Sequence, residues 1–148
     1  MNKNRKTMKI LEILTEAREI LRSAEEPLNK VKQPRDLAEK AVQLLNDKGI
    51  LEKRGLDLKM KHLTYMEEFV KALRQPQPTE EQAEELLNKQ KALGKGTQEL
   101  LTQIIMFLNN TWDLLNKTRE LNRERSIIKH SLNKTELLLY EITIIQGE

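Results

Sequence analysis

Apolar residues recur along this chain at alternating steps of four and three. From Leu100 the positions are Leu100, Ile104, Phe107, Thr111, Leu114, Thr118, Leu121, Arg125, Ile128, Leu132, Thr135, Leu139 and Ile142, and nine of these thirteen are apolar. That spacing is a heptad seam, and it predicts one amphipathic helix over 97–145. No Gly or Pro interrupts it before Gly147, so an unbroken helix would be roughly 70 Å long. A helix of that length cannot bury its own stripe and needs partner helices. A second row (Leu101, Ile105, Leu108, Trp112, Leu115) widens the face over 100–115. Residues 119–125 are polar except for Leu121. The tail then turns apolar again, with Ile127, Ile128, Leu132, Leu137, Leu138, Leu139, Ile142, Ile144 and Ile145.

The same alternation opens the chain: Ile10, Leu14, Ala17, Leu21, Ala24, Leu28 and Val31. Pro27 lies inside that seam, lacks a backbone donor and clashes one turn back. The helix is therefore expected over 4–26, with a kink or break near Glu26 and an irregular joint at 29–33. Pro34 suits the first turn of a second helix, where its missing N–H costs nothing. That helix is expected over 34–73, with a weak point between Gly49 and Gly55, since each Gly costs about 1 kcal/mol relative to Ala; the alternative is two helices with a tight turn there. Two prolines in residues 74–78 mark a linker. Thr79 and Gln82 have the spacing of a capping box for a short helix over 79–93. Gly94 and Gly96 are expected to end or bend that helix, with Thr97 capping the last one. The whole reads as a single all-α domain over 1–148: an elongated antiparallel bundle of about four helices with a long C-terminal amphipathic helix.

Composition narrows the function. Of 148 residues, 33% are charged and only 3% aromatic, which suits helices with solvated faces. The 26 basic and 23 acidic residues leave a net charge of +3, too small an excess to point to nucleic acid. There is no Cys, so no disulfide or thiolate chemistry is available, and a reducing compartment is compatible. Charges at Glu12, Glu16, Arg18 and Glu19 break the early apolar run, so neither a signal peptide nor membrane insertion is expected.

No constellation suggests catalysis. Gly94-Lys95-Gly96-Thr97 resembles a fragment of a phosphate loop, but the required earlier Gly position is Lys89 and the lead-in is helical. His62 and His130 lack an acidic neighbour at metal-binding helical spacing and read as surface imidazoles. Glu80, Glu81, Glu84 and Glu85 serve the positive end of a helix dipole. The basic residues Arg119, Arg123, Arg125, Lys129 and Lys134 are diluted by Glu120 and Glu124 and read as a solvated waist. No enzyme activity, cofactor or metal is expected.

The stretch Leu121-Asn122-Arg123-Glu124-Arg125-Ser126-Ile127-Ile128, continued by Ser131-Leu132-Asn133, Thr135 and Leu138-Leu139, resembles the C-terminal signature of the FlgN-type flagellar export chaperones. Family members often carry a second Asn where this chain has Arg125. Leu37, Leu44-Leu45, Lys48, Leu51, Glu52 and Arg54 are similar to the family's first long hairpin. The resemblance implies a cytoplasmic chaperone. It would bind the C-terminal helices of hook–filament junction (hook-associated) proteins through an apolar C-terminal helix and keep them competent for export. On this chain the partner-binding residues would be Ile127, Ile128, Leu132, Leu138, Leu139 and Ile142. The alternative is a coiled-coil scaffold or adaptor that self-associates, as a homodimer for instance, and has no client. Two apolar halves flank the charged waist, so the expected division of labour is a core over 100–115 and a partner face over 127–145.

Overall fold

The computed structural model describes residues 3–77 and 79–147, and Pro78 of the expected linker lies outside the described residues. It is an all-α antiparallel bundle: α1 (Lys3–Ser23), a single short helical turn α2 (Glu25–Asn29), α3 (Arg35–Leu73), α4 (Glu80–Asn116) and α5 (Asn122–Gly147). Among the described residues there is no strand. α1 packs on α3, α4 and α5, while α4 packs on both α3 and α5. These four helices close one hydrophobic core that runs from Ile10 on α1 to Ile145 on α5.

α3 and α4 form a regular hairpin. Glu68 accepts from Lys89 at 2.8 Å, and Gln103 accepts from Arg54 at 2.6 Å. Fourteen residues back along α3 thus match fourteen forward along α4. The turn between them is exposed at 74–77. Thr79 caps α4 with its hydroxyl on the Gln82 N–H, and the Gln82 side chain returns to the Thr79 N–H, completing the capping box.

In the first half of the chain the helix boundaries depart from the sequence reading at two places. The first helix breaks at Ala24 and not at Glu26, and Pro27 sits buried inside α2. Pro34 is the extended N-cap of α3, and the helix proper begins at Arg35. α3 then runs through Gly49 and Gly55 without a break, because Leu44 and Leu51 are buried on both sides of Gly49. A buried Leu contributes roughly 1.5–3 kcal/mol, more than one Gly costs.

The larger correction concerns the end of the chain. The helices expected at 79–93 and 97–145 do not exist as such. α4 continues through Gly94, Gly96 and Thr97, and the long helix is broken at 117–121. Thr97 is not a cap: it is buried, and its hydroxyl donates to the Leu93 carbonyl at 3.0 Å. At Gly94 the side-chain amide of Gln146 lies across the backbone, so a Cβ there would require that flexible side-chain end to swing aside. Gly96 allows Leu58 of α3 to come within 3.0 Å of the corresponding point.

The break at 117–121 has an energetic reason. A straight helix would leave Leu101, Leu108 and Leu115 facing water, and all three are fully buried in the fold. Folding α5 back covers them. The few intrahelical hydrogen bonds given up at an exposed turn are worth about 1 kcal/mol each. The turn recovers several of them: Lys117 and Thr118 donate to Leu114 and Leu115 carbonyls at 3.1 and 3.0 Å. The Thr118 hydroxyl adds a bond to the Leu115 carbonyl at 2.8 Å.

Candidate functional site

α5 carries the residues that the sequence assigns to partner binding. Its inward positions are Glu124, Ile128, Ser131, Thr135, Leu138, Ile142 and Ile145, a strict alternation of fours and threes. The polar members are accommodated locally. The Thr135 hydroxyl donates to the Ser131 carbonyl at 2.8 Å, and Ser131 shares a 2.9 Å hydrogen bond with Ser23 of α1. Thr111 does the same on α4 toward Phe107 at 2.9 Å. Such back-bonding satisfies the hydroxyl and leaves the methyl group to the core.

The six expected partner residues therefore separate. Ile128 and Ile142 are 0% exposed and Leu138 is 4% exposed, so these three belong to the core of the folded chain. Leu132 and Leu139 are half-buried against that core. Ile127 is on the surface and borders a groove of about 410 Å³ with Glu19, Ile20, Ser23, His130 and Lys134. The tail is thus core along one side, and the expected split between a folding half and a binding half of one helix does not describe it. Its outward apolar patch is Leu137, Tyr140 and Ile144, spaced three and four residues apart. Periodicity alone could not single these out, because α5 is apolar on two sides and either stripe fits a helix.

The charged waist is the joint between α4 and α5. Glu124 is buried on the inner side of α5 and accepts from Lys30 at 2.5 Å, while Glu26 approaches the same ammonium at 3.4 Å. The bond to Lys30 holds the Glu124 carboxyl below its usual range, and the same bond raises Lys30. Arg125 donates to Asn116 at 3.2 Å across the joint, and Lys129 stands 5.9 Å over the Trp112 ring. A cavity of about 600 Å³ opens here between residues 30–34 and 117–121. Lys32, Lys117 and Arg119 line it beside Glu120, and Lys30 is already committed to Glu124.

His62 is not a surface imidazole. It is fully buried on α3, and neither ring nitrogen has a hydrogen-bond partner. Burial lowers its pKa from 6.5 to about 4. The nearby Tyr65 hydroxyl is also buried without a partner, and burial raises its pKa. Tyr65 walls a groove of about 360 Å³ with Met60, Thr64, Ala92 and Leu93, closed at one end by the Glu68–Lys89 pair. His130 is exposed. Among the described residues no three His, Cys, Asp or Glu side chains are placed to hold a metal ion, and no helix is long and apolar enough to cross a membrane.

Compared with known proteins, the chain matches no family model, no curated protein and no solved structure.

Proposed function

We propose that this chain is a binding protein of the secretion-chaperone kind, which covers apolar helices of a protein partner and performs no catalysis. The observation that carries the reading is the outward patch of α5. Leu137, Tyr140 and Ile144 are 63%, 65% and 46% exposed on a helix whose opposite side is core. Folding alone does not require apolar side chains there. An amphipathic helix laid along α5 would bury them, as in helix-in-groove recognition.

The resemblance of residues 121–139 to the FlgN-type chaperones supports a narrower form of the proposal. In that form the protein is cytoplasmic, and its clients are hook–filament junction proteins bound for the flagellar secretion apparatus. Ile127, Leu132 and Leu139 border the client, and Ile128, Leu138 and Ile142 hold α5 in position from beneath. The test is a calorimetric titration with peptides spanning the C-terminal helices of such junction proteins. Saturable binding is expected, and combined Leu137→Ser, Tyr140→Ser and Ile144→Ser should weaken it at least about tenfold, a loss of about 1.4 kcal/mol or more. Absence of binding, or full binding by the triple variant, would refute the proposal.

A further inference from the structure

The distal half of α3 has two apolar sides. One, with Leu58, His62, Tyr65, Phe69 and Ala72, is buried or half-buried. The other carries Leu56, Met60, Leu63, Val70 and Leu73, which are 39–65% exposed. Leu56, Met60, Leu63 and Val70 keep the four–three rhythm of a coiled-coil seam, with Glu67 as its one charged member. α5 packs on α4 and α1, so this side of α3 points away from the rest of the bundle.

We propose that this outer seam is a homodimer interface, in which α3 of one copy pairs antiparallel with α3 of a second copy about a twofold axis level with Tyr65. The seam and its flanks are self-complementary, which selects a second copy as the occupant. In an antiparallel pair, seam residues of one type meet those of the other, and flanking positions meet their own kind. Placing Met60 against Val70 of the second copy sets Leu63 against that copy's Glu67. On one flank, Asp57 then falls opposite the second copy's Lys71, and symmetry makes this pair twice. Thr64 meets its own counterpart beside the axis, and on the other flank Met66 does the same. Asp57 holds Lys61 of its own helix at 3.0 Å through one carboxylate oxygen, which leaves the second oxygen for the incoming lysine.

Other registers lose these features. Sliding by one heptad either way sets Thr64 against Asp57 or against Lys71 and removes both ion pairs. Parallel pairing in register brings Glu67 against Glu67 inside the seam. The antiparallel seam is roughly 21 Å long at about 1.5 Å per residue. A contact that short is at the low end of stable interfaces, so the pairing is a reversible equilibrium. It is independent of the α5 patch and does not rest on the client reading.

The absence of cysteine from the chain makes a direct test available in the full-length protein. Thr64→Cys should give a covalent dimer under mild oxidation. Asp57→Cys alone should not, but an equimolar mixture of Asp57→Cys and Lys71→Cys chains should cross-link. In sedimentation equilibrium, Asp57→Lys and Lys71→Asp should each weaken the dimer about tenfold, and the two together should restore it to within about threefold. All three positions are exposed, and circular dichroism checks that helicity is kept. A wild-type chain that stays monomeric at millimolar concentration would overturn the proposal. So would a dimer indifferent to both charge changes, or one that cross-links through Tyr140→Cys on α5 and not through Thr64→Cys.

Discussion

Acid should loosen this fold in part through one buried imidazole. His62 is fully buried with both ring nitrogens unpaired, and burial lowers its pKa from 6.5 to about 4. In the unfolded chain the imidazole takes up a proton as the pH falls through about 6.5. In the folded chain it stays neutral until about pH 4. Between those values the unfolded state binds more protons, so stability falls as the pH falls, and above about 6.5 this group contributes no slope. The full gap is worth on the order of 3 kcal/mol, since each pH unit is about 1.4 kcal/mol. Against a usual total of about 5–15 kcal/mol that is a large share. It corresponds to a melting temperature lower by roughly 6–12 °C for a chain of this size. The assay is urea unfolding of the wild type and His62→Leu from pH 7.5 to pH 4. Carboxylates titrate in both chains, Glu124 among them, so the difference between the two curves isolates the imidazole. His62→Leu should be at least as stable at pH 7.5, because it removes an unsatisfied buried polar group. It should lose less on acidification. Parallel curves for the two chains, or a His62 NMR titration centred near 6.5, would refute the reasoning.

Two further predictions follow from burial. Leu108→Ala and Ile142→Ala should each cost about 2–5 kcal/mol in urea unfolding, since both side chains are 0% exposed, whereas Leu137→Ala should stay within about 0.5 kcal/mol of wild type. Gly49→Ala should raise stability by about 0.5–1 kcal/mol in the same assay, because it lies inside α3 with nothing within 4 Å of an added Cβ.

The all-α class was legible because every apolar period in the chain is helical. Most of the double row at 100–115 is core: Leu100, Leu101, Ile104, Phe107, Leu108, Leu114 and Leu115 are buried, while Ile105 and Trp112 are half-buried. The same rhythm misled beyond Asn116, because heptad continuity does not register whether a helix turns back on itself. The residues at 117–121 include neither Gly nor Pro, so local propensity offered no warning, and the break is decided by what α5 covers. The seam phase also slipped. Leu132 and Leu139 lie on the heptad seam read from the sequence, yet they are half-buried, and Ser131 and Leu138 take the buried places. Where a tail is apolar on two sides, the sequence cannot say which side the core selects. The burial of His62 was missed for a similar reason: it stands between Leu58 and Tyr65 on the inner side, and Leu63, one residue on, marks the outer side just as clearly. Gly94 and Gly96 read locally as breakers, whereas their use is long-range, in the approach of Gln146 and Leu58.

The hydrogen bond between Ser23 and Ser131 spans 108 residues, and that separation governs the order of assembly on the ribosome. α3 and α4 can zip together soon after both emerge, and α5 closes on α4 through a turn of only a few residues. α1 emerges before all of them, and α3 covers only one side of it. The side that faces α5 stays wet until residues near Ile145 have been made. At about 5–20 residues per second, that is a delay of roughly 5–20 s, during which Ile13, Ile20 and their neighbours must stay unaggregated. The many charges between them (Glu12, Glu16, Arg18, Glu19 and Arg22) keep the nascent helix soluble while it waits.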